Sequence, residues 1–151
     1  MRTVIQRVSK ASVKIEAENY EDGIAQGLMV LAAFEDEDTT EDLEWMVRKI
    51  VAMRIFDDEN GVMNLSVKDV HGQIMVVSQF TLYASTAKGN RPSYIKAAKP
   101  EISIPLYEKF LAMLEEKMED RIAHGHFGAD MQVALVNDGP VTIVVDSKLK
   151  F

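Results

Sequence analysis

The sequence predicts an α/β domain in which a mixed β-sheet carries two helices on one face. Three observations predict this fold class. The chain has 151 residues, which is long enough to bury one core without disulfides or metal ions. Apolar residues make up 47% of it, and their periodicity changes along the chain in the order strands, helix, strand, helix, strands. No repeat or linker divides this order, so we assign residues 1–151 to a single domain.

The first part of the chain is predicted to form three strands. Residues 12–18 alternate between polar and apolar types, which is typical of a half-buried strand with Ala17 on its buried face. Residues 3–9 are rich in β-branched types but alternate less regularly. Residues 28–34 form an unbroken apolar run that is short enough for a buried strand.

Two segments have helical periodicity. The first helix is predicted at about residues 40–54, after an acid-rich connection at 35–44 whose carboxylates suit the positive end of a helix dipole. We interpret these acids as a solvent-exposed cap, because the regular ligand spacing of a calcium loop is missing. The second helix is predicted over residues 107–118, with Ser103 as its N-cap and Pro105 in its first turn.

The remaining strands lie in the second half of the chain. Residues 74–77 predict a central strand that ends near Ser78. Residues 131–135 and 141–145 alternate, and the Asn-Asp-Gly-Pro sequence at 137–140 predicts a hairpin between them. A Gly-Pro bond is one of the few peptide bonds that readily take the cis form, and the sequence leaves its isomer open.

The composition excludes several classes of site. The chain has no cysteine, so it can hold no disulfide, thiol nucleophile or thiolate-bound metal. It also lacks the serine-hydrolase elbow, the phosphate-binding loop and the dinucleotide fingerprint. The pair His124 and His126 has no acidic or sulfur ligand beside it in sequence, so we interpret it as part of a surface loop and expect no metal or cofactor.

The N-terminal residues do not resemble a signal peptide. Gln6 and Arg7 interrupt the stretch in which such a peptide needs an apolar core. No apolar run approaches the roughly 18 residues needed to cross a membrane. We therefore expect a cytoplasmic protein.

Charge is distributed unevenly along the chain. The formal net charge is −7, yet residues 70–100 contain no Asp or Glu and carry four cations, Lys88, Arg91, Lys96 and Lys99. A basic segment against an acidic background suits a polyanion such as nucleic acid. On charge alone, the alternative that these cations pair with the acidic surface elsewhere has equal weight.

A polar cluster follows the predicted central strand. Ser78, Gln79 and Thr81 lie directly after a buried run, at the kind of strand end where substrate groups are often bound. The Thr81 hydroxyl could act as a nucleophile or a hydrogen-bond donor, and the Gln79 amide could orient a carbonyl or a ribose hydroxyl. Without a recognised motif, the residues by themselves favour a turn-capping role.

Seven blocks of sequence, in order, carry a resemblance to a known family. They are residues 5–8 (IQRV), 11–13 (ASV), 63–65 (MNL), 77–82 (VSQFTL), 88–93 (KGNRPS), 127–133 (FGADMQV) and 135–142 (LVNDGPVT). Together they resemble the D-aminoacyl-tRNA deacylases, which hydrolyse the ester joining a D-amino acid to tRNA. The resemblance covers essentially the whole chain, and its main visible departure is Ala32-Ala33-Phe34 at a predicted strand end.

The resemblance implies a barrel-like sheet and a homodimer, in which a Gly-Pro element in the cis form enters the active site of the partner subunit. Gly139 and Pro140 would form this chiral gate. The pocket that it enters would be lined by Ser78, Gln79, Phe80 and Thr81. Carbonyls fixed side by side at a cis Gly-Pro could accept from the substrate α-ammonium and leave no room for an L side chain. Glycine has no side chain to exclude, so we also predict activity on glycyl-tRNA, including glycine mischarged on tRNA(Ala).

Two catalytic mechanisms stay open. The resemblance favours assistance by the 2′-hydroxyl of the terminal ribose, with backbone amides near Phe80 and Thr81 binding the ester carbonyl. The alternative makes Thr81 a covalent nucleophile, although no Lys or His adjoins it in sequence. Arg7 is predicted either to support the gate by bonding to backbone carbonyls or to pair with an acid. Lys88 and Arg91 are the candidates for contacts to phosphates of the tRNA acceptor end.

Two other functions have to be weighed against this one. A binding module of the same fold could use residues 70–100 to bind nucleic acid without hydrolysis, although the acidic total disfavours it. An enzyme that edits an L-aminoacyl-tRNA would need a rearranged gate, which the intact block 137–142 disfavours. Because the implied pocket recognises backbone and chirality, we expect broad specificity among D-amino acids.

Overall fold

The computed structural model describes residues 1–151, which contain eight strands and two long helices. Six of the strands form a mixed sheet, and both helices pack against one face of it. In chain order the elements are β1 (Arg2–Ile15), β2 (Tyr20–Ile24), β3 (Gly27–Ala33), α1 (Thr40–Ala52), β4 (Phe56–Asp57), β5 (Met63–Leu65), β6 (Gln73–Ser78), α2 (Pro100–Met118), β7 (Ala123–His124) and β8 (Gln132–Asp146). Two short 3₁₀ helices, Glu16–Glu18 and Phe80–Tyr83, follow β1 and β6.

The sheet is organised around β1. This strand pairs antiparallel with β2 and β3 along one edge and with β8 along the other. The sheet continues by parallel pairing from β3 to β6 and from β6 to β7. β4 and β5 form a separate small hairpin, and β8 pairs only with β1, so its outer edge is unpaired. This mixed, barrel-like sheet with two main helices confirms the predicted fold class.

Both faces of the central strands are buried. Successive side chains of a strand point to opposite faces, and Val30 and Val76 accordingly join the main core of 23 residues between sheet and helices. Met29 and Met75 join a second cluster of eight residues on the other face. The unbroken apolar runs in β3 and β6 follow from this double burial.

The first helix begins and ends close to its predicted bounds. Thr39 precedes α1, and the Asp42 carboxylate accepts from the Thr39 amide at 2.9 Å in a capping box. The interpretation of all the preceding acids as a solvent-exposed cap is wrong at Asp38. Its buried carboxylate pairs with the α-ammonium of Met1, a group 37 residues away. A buried carboxylate needs such a partner, and local sequence does not reveal it.

The second helix begins earlier than predicted. Lys99 is its N-cap and Pro100 occupies its first turn. Backbone N–H groups in the first turn make no hydrogen bond within the helix, so proline is tolerated there. Ser103 is therefore not the cap but a buried residue inside the helix, and its hydroxyl donates to the Lys99 carbonyl at 3.0 Å. Pro105 likewise lies inside the helix. Proline has no N–H to donate to the carbonyl of Glu101, four residues earlier. Glu101 is exposed, so water can reach that carbonyl instead.

The two opening strands predicted at 3–9 and 12–18 are one continuous strand, β1. It ends at Ile15, and Ala17 is exposed in the 3₁₀ helix Glu16–Glu18 rather than buried on a strand face. The second strand, β2, was not predicted, because its sequence Tyr-Glu-Asp-Gly-Ile has little apolar periodicity. Its five residues are held by antiparallel pairing to the end of β1.

The predicted closing hairpin is also wrong. Residues 131–135 and 141–145 do not pair with each other, because both contribute to β8 and pair with opposite halves of β1. The register between β1 and β8 is interrupted twice, because Gln6 faces Thr142, Val8 faces Asn137 and Lys10 faces Val136; it is regular on both sides of this stretch. Arg7 alone therefore lies opposite residues 138–141. The Asn-Asp-Gly-Pro sequence forms a bulge in a long strand instead of a turn between two strands.

The residues after α2 are not a simple surface loop. His124 belongs to β7, which extends the sheet beside β6, and the His126 Nδ1 atom lies 2.6 Å from a carboxylate oxygen of Glu18. No group of three or more His, Cys, Asp or Glu side chains is arranged to hold a metal ion. None of the helices is long and apolar enough to span a membrane.

Candidate active site

Of the four residues predicted to line the pocket, Ser78, Gln79 and Phe80 line a cavity of about 250 Å³ at the end of β6, whereas Thr81 does not. Ser78 is the last residue of β6, Gln79 follows it, and the chain then enters the 3₁₀ helix Phe80–Tyr83. The opposite wall comes from the segment after β7 and from the start of β8. The lining residues on that wall are Phe127, Gly128, Ala129, Met131 and Val133. The cavity is thus mostly apolar with polar groups at one side, as small-molecule sites commonly are.

Gln79 orients the Thr81 hydroxyl. The Gln79 side-chain nitrogen donates to Thr81 Oγ1 at 2.6 Å, and the Gln79 backbone amide donates to the Ala32 carbonyl at the end of β3 at 2.8 Å. An amide nitrogen has no free lone pair to accept a proton, so Gln79 cannot be a general base for Thr81. With one of its two lone pairs engaged by Gln79, the Thr81 hydroxyl keeps its own hydrogen free to donate.

Backbone amides provide further donors here. The 3₁₀ helix Phe80–Tyr83 continues through hydrogen bonds from the Leu82 amide to Gln79 and from the Ala84 amide to Thr81. The amides of Phe80 and Thr81 come first in this helix and have no acceptor within it. Two amides and one hydroxyl at the end of β6 are a donor set suited to a carbonyl oxygen that gains negative charge.

An aromatic residue that sequence reasoning did not identify holds Phe80. The Phe80 ring is 52% exposed and meets the Tyr94 ring edge-on, with ring centroids 5.1 Å apart. Tyr94 directly follows a loop that Ser85 and Ser93 close by two backbone hydrogen bonds, at 2.8 and 2.9 Å. An aromatic residue within the basic segment was the available signal for Tyr94.

The Gly139-Pro140 peptide bond is cis and lies in the bulge of β8. Gly139 has φ +143, in a region that L side chains rarely adopt. Both residues are exposed. Asn137, another residue not identified from sequence, supports the bulge, because its side chain accepts from the Val141 amide at 2.8 Å and donates to Thr142 at 2.9 Å.

Arg7 lies directly beneath this bulge. Its Nε donates to the Asp138 carbonyl at 2.8 Å and its Nη1 donates to the Ile55 carbonyl at 2.7 Å. The Asp57 carboxylate is also 3.5 Å from Nη1, but Asp57 is half exposed. Both alternatives considered for Arg7 are therefore present in the contacts, and the two short bonds are to backbone carbonyls.

Gly139 and Pro140 do not line the 250 Å³ cavity of their own chain. The strand that carries them has an unpaired outer edge and several exposed apolar side chains. Val133, Val136 and Val144 are 38%, 46% and 43% exposed. One chain thus presents the cavity at the end of β6 and the cis element as two separate features.

The basic segment is free of acidic partners. Lys88, Arg91, Lys96 and Lys99 are all exposed, and none lies within 4.0 Å of a carboxylate oxygen. The alternative that these cations neutralise acids elsewhere on the surface is therefore wrong. The charge remains available to an external anion.

Known proteins match this chain over almost its full length. A family model described as D-Tyr-tRNA(Tyr) deacylase matches residues 4–146. The chain is 62% identical to a D-aminoacyl-tRNA deacylase of Flavobacterium johnsoniae over 148 residues, which is 98% of each chain. It is 59% identical to a D-aminoacyl-tRNA deacylase of Bacteroides fragilis over 150 residues, which is 99% of each chain.

Two solved structures are also similar. One, a c-Myc DNA unwinding element binding protein, has a TM-score of 0.88 and 42% identity, and the match covers 97% of this chain and 98% of that one. The other, a probable eukaryotic D-amino acid tRNA deacylase, has a TM-score of 0.81. Its identity is 18%, with 95% and 97% of the two chains covered, so this likeness concerns the fold alone.

Proposed function

Because the chain belongs to the D-Tyr-tRNA(Tyr) deacylase family and is a D-aminoacyl-tRNA deacylase, we propose that it performs chiral proofreading with Gly139 and Pro140 as its gate. The observation that carries the proposal is the bulge of β8, which presents an exposed Gly-Pro pair held from below by Arg7. The reaction takes place in the cytoplasm, where aminoacyl-tRNA is used, and needs no cofactor.

The complete site requires two copies of the chain. In each copy the cavity at the end of β6 is not lined by Gly139 or Pro140. The unpaired edge of β8 and its exposed valines support a homodimer in which the gate of one subunit enters the cavity of the other. This arrangement makes the dimer a condition for activity.

The gate discriminates by backbone alone. Carbonyl oxygens at the cis bond accept from the α-ammonium of the substrate and so fix the orientation of its Cα. In that orientation an L side chain would collide with the gate, whereas a D side chain points away from it. Rejection depends on rigidity, which the Arg7 and Asn137 hydrogen bonds supply. Since no contact to the D side chain is required, the enzyme accepts many D-amino acids.

Catalysis combines positioning with charge stabilisation. Water adds to the ester carbonyl carbon, assisted by the free 2′-hydroxyl of the terminal ribose, and the bond to the ribose 3′-oxygen then breaks as that oxygen takes a proton. The amides of Phe80 and Thr81 and the Thr81 hydroxyl stabilise the negative charge on the carbonyl oxygen. The Gln79 contact supports a donor role for Thr81 rather than a covalent one.

Substitution Thr81→Ala is expected to lower kcat for D-tyrosyl-tRNA about tenfold, since it removes one hydrogen bond to the developing charge. The measurement is single-turnover deacylation, with the exposed Thr86→Ala variant as a matched control. A loss of about 10⁴-fold or more would instead identify Thr81 as a nucleophile, because removal of a nucleophile typically has such an effect.

Reversing the charge at Lys88 and Arg91 is expected to weaken the binding of all aminoacyl-tRNA substrates to the same extent. If both cations contact phosphates, the double variant Lys88→Glu, Arg91→Glu should flatten the slope of log affinity against log salt by about 2. The same reversal at two exposed cations of α1, Arg48→Glu with Lys49→Glu, serves as the control. An unchanged salt slope would place the tRNA elsewhere.

The decisive test of the function is deacylation of D-tyrosyl-tRNA and L-tyrosyl-tRNA by the metal-free protein. We expect rapid loss of the D ester and background loss of the L ester. If neither is cleaved, the assignment to these substrates fails. If both are cleaved, the enzyme remains but its chiral gate is excluded.

A non-hydrolytic role is the alternative, and one observation favours it. The solved relative at 42% identity is described as binding a DNA unwinding element, and this chain has a basic segment with no acidic partners. A filter-binding assay with double-stranded and single-stranded DNA at moderate salt, run beside the deacylation assay, separates the two functions. Tight DNA binding without ester hydrolysis would replace our proposal.

A further inference from the structure

Arg2, at the start of β1, joins two parts of the fold that lie far apart in sequence. Its Nε donates to Asp146 Oδ2 at 2.9 Å, and its Nη1 donates to the backbone carbonyl of Leu82 at 3.0 Å. The guanidinium carbon lies 4.9 Å from the centroid of the Tyr83 ring. Arg2 therefore connects the end of β8 to the 3₁₀ helix Phe80–Tyr83, whose first residues supply the proposed catalytic donors.

The Asp146 side of this bridge is rigid. Its Oδ1 accepts from the amides of Lys148 and Leu149 at 2.8 and 3.0 Å, and its side chain is 3% exposed. Burial would raise the pKa of Asp146, but the hydrogen bonds from Leu149, Lys148 and Arg2 lower it below its ordinary value. The carboxylate is therefore charged at neutral pH and fixes the direction of the Arg2 fork.

The Leu82 side of the bridge has few other supports. A 3₁₀ helix of four residues has poor internal hydrogen-bond geometry. Its beginning is fixed where the Gln79 amide bonds to the Ala32 carbonyl. At its other end the Tyr83 ring is buried, and Arg2 makes the one side-chain hydrogen bond to the backbone of this helix. A shift of Leu82 would rotate the amides of Thr81 and Phe80, which are one and two residues away.

We propose that Arg2 is a positioning residue of the deacylase, which holds the Phe80 and Thr81 donors at the angle that the ester carbonyl requires. The inference rests on the proposed function. Arginine is needed because its planar fork can bond a carboxylate and a carbonyl at once, whereas a lysine ammonium directs its hydrogens from a single atom. Small displacements of donors are sufficient to reduce catalysis.

The test is Arg2→Lys, which keeps the positive charge beside Asp146 and gives up the Leu82 contact. We expect kcat for D-tyrosyl-tRNA to fall about tenfold, with KM unchanged and L-tyrosyl-tRNA still rejected. Arg121→Lys is the matched control, since Arg121 pairs with Asp22 but does not contact the 3₁₀ helix Phe80–Tyr83. If both variants keep the wild-type kcat, or if Arg2→Lys changes KM alone, the inference is wrong.

Two further measurements separate positioning from loss of fold. The amide resonances of Phe80 and Thr81 should move in Arg2→Lys while those of the α2 core residues stay in place. In Arg2→Ala, guanidinium at a concentration far below denaturing should restore part of kcat, and an equal concentration of sodium should not. Unmoved resonances or equal effects of the two cations would overturn the inference. A wild-type protein that hydrolyses no D ester would instead overturn the proposed function itself.

Discussion

A methyl group added at Gly139 is expected to reduce D-tyrosyl-tRNA hydrolysis about 100-fold, the loss typical of a reacting group displaced by about 1 Å. A Cβ there would lie 2.8 Å from Val141 Cγ2 and 3.0 Å from both Arg7 Nη2 and the Val141 amide nitrogen. The backbone also has φ +143, which an alanine rarely adopts. The bulge must therefore move, and it loses its fit to Arg7. Single-turnover deacylation by Gly139→Ala measures the effect.

A second glycine provides the control for this substitution. Gly61 also has a positive φ, of +73, but a Cβ there would meet nothing within 4 Å, and Gly61 lies in the exposed turn between β4 and β5. Gly61→Ala should carry a backbone penalty of about 1 kcal/mol in unfolding free energy and keep full activity. Near-wild-type D-ester cleavage by Gly139→Ala, with the L ester still rejected, would remove Gly139 from the gate.

Regular periodicity was the reliable guide to the fold. β3, β6 and α1 are found close to their predicted bounds, because the pattern of each reports its packing directly. β3 and β6 are unbroken apolar runs because both of their faces are buried, and α1 has helical spacing because it buries one face. β2 has no such pattern. It is a strand because β1 is long enough to offer it an edge, and that length follows from pairing between residues far apart in sequence.

The turn signal at 137–140 shows how a local motif can be right about chemistry and wrong about topology. Asn, Asp, Gly and Pro do interrupt the strand, and the Asn137 side chain bonds the backbone across the interruption as such residues often do. However, the chain leaves the bulge in the direction in which it entered, because the first half of β1 continues the ladder beyond Arg7. Only tertiary pairing decides between a hairpin and a bulge.

The site divides in the same way. Ser78, Gln79 and Thr81 stand out in the sequence as polar residues after a buried strand, but by themselves they favour a turn-capping role. The family resemblance is what marks them, together with Phe80, as pocket residues. The supporting residues Arg2, Tyr94 and Asn137 were not selected. Arg2 and Tyr94 act through contacts to Leu82 and Phe80, which are distant from them in sequence. Asn137 bonds to nearby Thr142, but nothing in the local sequence pattern indicates that bond. Support of this kind becomes visible only when the elements are packed together.

Glycyl-tRNA and L-alanyl-tRNA should differ in hydrolysis rate by about 100-fold, in favour of glycyl-tRNA, if the gate acts by steric exclusion. The two substrates differ by one methyl group, and discrimination of this size is within reach of a rigid pocket. D-alanyl-tRNA should react like glycyl-tRNA, since its methyl group points away from the gate. The measurement is the deacylation rate of the three esters on the same tRNA(Ala), after subtraction of the rate without enzyme.

The glycine result identifies how chirality is recognised. An enzyme that selected D-amino acids by binding their side chains would cleave glycyl-tRNA as poorly as L-alanyl-tRNA, because both lack a group in the D position. An enzyme that excludes the L side chain has no means of rejecting glycine. Equal resistance of the two esters would therefore discard the steric gate even if D-tyrosyl-tRNA is hydrolysed rapidly. Fast cleavage of glycyl-tRNA would show that exclusion of the L side chain, and not binding of the D side chain, sets the specificity. It would also show that this exclusion fails for an amino acid that has no side chain.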